Sequence, residues 1–307
     1  MLARFFQKSE PISFVSLLVL LFFHTNYYRY YIENIDFNFS SSLESFGVFI
    51  FFGVLLLLID FIIYKNHLTA VNYYSLFIFV SLLGLFPEVL NFSKISFANL
   101  FILLSIRRLY SLRTQKEILL KLFDSGFYIG ISFLLYPISV VFLLLIYVSY
   151  FNYIRVFNKS LLLPVLGFIT PIFLGFTYFF LTDNIASFKT LTELNINFNK
   201  SKFSDLHFLI PLIIIIAFVV FALIKNVGIR QNLDIEGKKS FQLVFINFIL
   251  ALVLVLINNL QIEQSIQFAF LPIVVLLWNF LFFTKRNWLK ELLFYLLLLF
   301  SLQQFLW

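Results

Sequence analysis

Eleven apolar runs of about 12–21 residues follow one another along the chain, most of them long enough or nearly long enough to cross a bilayer core of ~30 Å. Inside lipid every backbone N–H and C=O must be bonded internally, so only helices and closed barrels can span it. A membrane barrel would show alternating stretches of about ten residues, and these runs do not alternate. The chain therefore reads as an all-α polytopic membrane protein. Composition agrees: 12% of its residues are charged, against about 25% in a soluble domain, and the mean hydropathy is +0.98.

The runs cover residues 12–23, 45–64, 72–86, 95–108, 123–136, 138–154, 161–181, 208–224, 241–257, 267–283 and 291–306. Between the fourth and fifth stands a basic stretch, Arg107-Arg108-Leu109-Tyr110-Ser111-Leu112-Arg113, continuing through Lys116 to Lys121. Loops rich in Lys and Arg stay in the cytoplasm, so this one sets the side of all the others. Arg4, Lys8, Lys65, Arg155, Lys159, Lys225, Arg230, Lys238, Lys239, Lys285, Arg286 and Lys290 then share its side. Of the 22 basic residues only Arg29, Lys94, Lys189, Lys200 and Lys202 fall opposite. The pattern predicts about eleven transmembrane helices in a bacterial inner membrane, with the N-terminus cytoplasmic and the C-terminus periplasmic. It also predicts a tight turn at Tyr136-Pro137, because a mere kink there would move Lys225, Arg230, Lys238 and Lys239 to the outer side.

The charged start before the first run resembles a signal peptide, but no small-residue cleavage site follows, and we read it as an uncleaved first helix. The longest segment between runs, 182–207, is too short for an independent fold, so residues 1–307 read as a single integral-membrane helical domain. The absence of cysteine excludes disulfides and cysteine-ligated metals. No glycine-rich phosphate loop is present. The net charge of +7 is taken up by topology, and no nucleic-acid partner is expected.

Chemistry is expected at the outer ends of the helices. Glu33 and Asp36 follow the first run and Glu88 follows the third, where carboxylates suit a general base or a divalent cation, although no metal ligand set is defined. Arg29 stands among Tyr27, Tyr28, Tyr30 and Tyr31 and suits a lipid phosphate with rings at the headgroup level. The plainer reading of the same residues is an aromatic interfacial belt with solvated charges. Asp60, at membrane depth, is expected to snorkel or to pair with Lys65. Asp124 and Ser125 are expected to cap the fifth helix. Gly126 and Gly130 have the small-xxx-small spacing that lets helices touch, and Asn247, Asn258, Asn259 and Asn279 are expected to bond between helices. His24, His67 and His207 form no metal motif.

The basic stretch 107–113, the segment Phe123-Asp124-Ser125-Gly126-Phe127-Tyr128-Ile129-Gly130 and the opening Phe6 to Pro11 resemble an uncharacterised family of multi-pass inner-membrane proteins from Bacteroidota. That resemblance implies no activity. The acidic residues after the first and third runs, the basic loop and the glycine-containing fifth helix are also similar to GT-C glycosyltransferases, which take sugar from a polyprenyl-phosphate donor. This likeness implies Asp36 or Glu33 as base on an acceptor hydroxyl, Glu88 holding a metal or orienting the acceptor, and Arg29 with Tyr28 on the donor phosphate. The protein or lipid acceptor would lie at the outer face of the inner membrane.

Three readings stay open at this point: that transferase, a non-catalytic subunit of a larger inner-membrane export or envelope-biogenesis complex, and a small-solute transporter. Membrane lipids are partners in all three.

Overall fold

The computed structural model describes residues 2–154, 158–194, 206–231, 234–257, 262–284 and 286–303, apart from the side chains of residues 206–207, 224–231 and 303. Arg155, Lys200, Lys202, Asp205, Asn258, Asn259 and Lys285, and the side chains of His207, Lys225 and Arg230, lie outside the described residues.

Every element among the described residues is helical. The first half holds α1 (Leu2–Gln7), α2 (Pro11–Tyr27), α3 (Phe39–Lys65), α4 (Tyr74–Leu85), α5 (Lys94–Ser111), α6 (Ile118–Leu135) and α7 (Leu143–Tyr153). The second holds α8 (Leu163–Leu181), α9 (Ile185–Thr192), α10 (Leu206–Gln231), α11 (Ile235–Ile257), α12 (Ile262–Ser265), α13 (Phe270–Phe283) and α14 (Asn287–Gln303). Among the described residues each of the eleven apolar runs falls on one of these helices, three of them preceded by a 3-10 turn. Among the described residues seven helical segments are long and apolar enough to cross a membrane. Tyr74–Leu85, Pro137–Tyr153 and Phe208–Leu223 are apolar but shorter.

The helices group into two compact units, the first made of residues 1–92, 200–233 and 270–307 and the second of residues 93–199 and 234–269. In the first unit α4 is the axis. All twelve of its residues are buried, as expected of a helix apolar on every face, and α2, α3, α13 and α14 pack around it. Phe77 stacks on Phe294 of α14 at 4.6 Å between ring centres, and Phe6 meets the same pair. Just before α4, Asn72 Oδ1 accepts the Trp278 indole N–H (2.7 Å) and the Tyr74 backbone N–H (3.2 Å).

In the second unit α6 is the axis, with α5 on one side and α8 on the other. The α6–α8 contact is made by backbone. A Cβ on Gly126 would collide with the Pro164 carbonyl, one on Gly130 with the Phe168 carbonyl and Pro171 Cγ, and one on Gly167 with the Phe123 carbonyl. The small-xxx-small spacing thus does what it predicts, and Gly167 answers it from the partner helix. Pro171 lies inside α8, where it cannot donate to the Gly167 carbonyl four residues back.

Serines tie α5 to its neighbours. Ser132 Oγ donates to the Ala98 carbonyl (3.1 Å) near one end of α5, while Ser105 Oγ donates to the Ser125 carbonyl (3.0 Å). Ser149 Oγ of α7 reaches the Leu109 carbonyl (3.1 Å) at the opposite end of α5. The chain therefore reverses between α6 and α7. It does so at Tyr136, extended at φ −150° and ψ 94°, followed by the 3-10 turn Pro137–Phe142. The expected turn at Tyr136-Pro137 is present.

Three expectations need correction. Helix α6 starts at Ile118, not near 123, so Asp124 lies well inside it and pairs with Arg108 at 2.8 Å instead of capping. Lys65 does not pair with Asp60; its ammonium sits 5.0 Å from the centre of the Phe61 ring. Asn247 is buried in α11, but neither atom of its amide has a hydrogen-bond partner, so it makes no interhelical bond.

The basic stretch between α5 and α6 is a bonded turn. Lys121 is buried, and its ammonium donates to the Ser111 carbonyl (2.7 Å) and to Thr114 Oγ1 (2.8 Å), neutralising carbonyls at the end of α5. Gln115 donates to the Tyr153 carbonyl (2.9 Å), and Arg113 pairs with Glu236 of α11 at 3.0 Å.

Candidate functional site

The expected site residues all belong to the first unit. Helix α2 does not stop at Tyr27; it continues through the wider π-turn Tyr28–Ile32, a local widening that often marks functional positions. Asn34 then adopts a left-handed φ of 51°, which Asn tolerates better than most residues, and the chain turns toward α3. Asn38 opens α3 with its N–H donated to Ser41 Oγ (2.9 Å), and that hydroxyl also bonds the Asp36 carbonyl (2.8 Å).

This turn separates the candidates. The π-turn directs the Tyr28 side chain inward, where it is 2% exposed, and its hydroxyl donates to Glu88 Oε2 at 3.0 Å. Glu33 is an electrostatic neighbour of the same hydroxyl. Glu88 is presented by the 3-10 turn Pro87–Leu90 that follows α4. Asp36, three residues beyond Glu33, is exposed on the turn into α3, where its backbone carbonyl accepts from Ser41 Oγ. Of the three expected carboxylates, two meet at Tyr28.

Arg29 faces elsewhere. Its guanidinium pairs with Glu44 of α3. The Arg29 side chain is only 11% exposed against 61% for Glu44, and Arg29 Nε is buried without a hydrogen-bond partner. A guanidinium presents five donors, and in this one the buried Nε is left unbonded. Around it are aromatic contacts: Tyr27 stacks on Tyr31 at 4.8 Å, and Tyr30 bonds Ser42 Oγ (3.1 Å).

The hollow beside Tyr28 is lined by His24, Tyr27, Tyr28, Ile32, Gly84, Pro87 and Leu90, and it has no room for one water molecule. His24 lies against Gly84, where a Cβ would strike the imidazole. Among the described residues no three His, Cys, Asp or Glu side chains are grouped to hold a metal ion. Glu33 and Glu88 thus form a two-carboxylate cluster closed by a phenol. The sequence pointed to these carboxylates, but Glu44 as the partner of Arg29 was missed. The signal available was its position one turn into the next helix.

The family whose pattern matches the chain is the Family of unknown function (DUF6427), over residues 1–307. No curated protein and no solved structure matches the sequence.

Proposed function

We propose, for a chain that belongs to the Family of unknown function (DUF6427), a non-catalytic role as an integral-membrane subunit of a larger inner-membrane assembly for export or envelope biogenesis. The observation that carries this reading is the internal pairing of the polar cluster. Glu33 and Glu88 face Tyr28, and Arg29 faces Glu44, with no space beside Tyr28 for a substrate. The cluster then works as a buckle between the end of α2 and the turn after α4. Helix α8 supplies the partner face: only 17% of its most apolar stretch is buried, the lowest share among the seven candidate spans. We read the chain as eleven spans, N-terminus cytoplasmic and C-terminus periplasmic, on the support of the basic-residue distribution.

Photo-crosslinkers at the exposed Phe173 and Leu174, activated in native membranes, test the subunit reading. A discrete crosslinked protein is expected. Lipid adducts alone from both positions overturn it.

A second reading is favoured by a specific observation, the meeting of Glu33 and Glu88 at the Tyr28 hydroxyl, next in sequence to an arginine whose Nε is unpartnered. In that reading a GT-C-like transferase moves sugar from a polyprenyl phosphate to a protein or lipid hydroxyl. Glu33 is the base rather than the exposed Asp36, Glu88 orients the acceptor, and Arg29 binds the donor phosphate beside Tyr28. The E33Q E88Q double variant separates the two readings. It abolishes transfer in the second and leaves partner capture intact in the first; retained transfer sinks the catalytic assignment.

A further inference from the structure

We propose that a cavity beside Asp60 binds a small organic ammonium ion. The cavity has a volume of about 220 Å³ and is lined by Ser9, Asp60, Tyr64, Thr69, Asn72 and Tyr73 among others. It is distinct from the Tyr28 cluster, since Asp60 lies roughly 24 Å along α3 from Glu44 at 1.5 Å per residue.

Charge supports a cation. Asp60 is half-buried, and among the described residues its carboxylate has neither an ion pair nor a hydrogen bond. The lysines nearest the cavity in sequence are turned to other tasks, Lys65 to the Phe61 ring and Lys8 to Glu10 at 3.6 Å. A carboxylate withdrawn from water without a partner is costly and gains most from a counter-ion.

Size favours an ion larger than a bare metal. A water molecule takes up about 30 Å³ of liquid, so the cavity suits an ion of several heavy atoms. Metal ions are usually held by several charged or imidazole ligands, and among the described residues no three His, Cys, Asp or Glu side chains are grouped to hold one. The hydroxyls of Ser9 and Thr69 can accept ammonium N–H bonds, and Tyr64 and Tyr73 bring aromatic rings to the lining, the residue type that attracts organic cations. The wall is fixed in advance because Asn72 is held by Trp278 and by the Tyr74 N–H.

The test is calorimetric titration of the detergent-purified full chain with ethylammonium chloride, with potassium chloride and n-propanol as comparisons. Saturable ethylammonium binding is expected, with none for n-propanol. Asp60→Asn and Ala70→Phe should each weaken it about tenfold or more, or 1.4 kcal/mol. Ala70 lies exposed at the rim, so the second variant decides the matter where the first fails to fold. No saturable binding to the native chain, equal binding to both variants, or potassium saturating the site as tightly, each overturns the proposal.

Discussion

Tyr28 and Glu88 stand 60 residues apart in sequence, yet the phenol donates to the carboxylate across 3.0 Å. Their bond joins the π-turn after α2 to the 3-10 turn after α4. Removing the hydroxyl leaves Glu33 and Glu88 facing a buried ring that can no longer donate. Tyr28→Phe should therefore cost about 1.5–3 kcal/mol, the usual net worth of a hydrogen bond to a charged group. Thermal unfolding in detergent reads this directly, and an unchanged Tm would show that the bond does not hold the two turns together.

The Arg29–Glu44 pair should respond asymmetrically. Arg29 is nearly covered while Glu44 is mostly in solvent, so losing Glu44 strands a cation, whereas losing Arg29 merely returns a carboxylate to water. E44Q should destabilise the protein, and R29M E44Q should recover most of the loss, because an apolar side chain of similar length replaces a buried charge well. A double variant as unstable as E44Q would refute the account.

Glycine positions divide into those that meet backbone and those that meet nothing. Gly130→Leu should cost about 1–3 kcal/mol or more, because the Phe168 carbonyl against it cannot rotate away. Gly53→Leu, with nothing within 4 Å of its missing Cβ, should leave the unfolding midpoint near that of the native chain. Equal behaviour of the two variants would argue against backbone contact between α6 and α8.

Orientation can be read from thiol labelling, since the chain has no cysteine. In intact cells D36C should react with a membrane-impermeant maleimide, while K116C should react only after permeabilisation. Both positions are exposed, so the reverse pattern would invert the proposed topology.

Much of the helix order was legible from apolar runs, because lipid leaves the backbone few alternatives. The reversal at Tyr136 could be read from Pro137 and the placement of lysines further along. Helix α6 began earlier than expected because Lys121 was taken for a loop residue; it is buried within the helix, satisfied by Ser111 and Thr114. The site was less legible. Whether Glu33 or Asp36 joins Glu88 depends on three residues of turn geometry, through a π-turn and a left-handed Asn34 that periodicity does not reveal. Which helices become neighbours is likewise absent from local pattern, so Gly167 and Glu44 appear as partners only in the folded chain.

Helix α4 has twelve residues, a rise of roughly 18 Å at 1.5 Å each, well short of a hydrocarbon layer ~30 Å thick. Alone in lipid it would drag the polar Asn72 and Glu88 toward the acyl chains. Its housing includes α13 and α14, which leave the ribosome some two hundred residues after it. During synthesis α4 must therefore wait, half-accommodated, for helices that do not yet exist. Nascent chains released before α14 should therefore be degraded faster than chains that include it, a difference that pulse-chase of the two lengths would read.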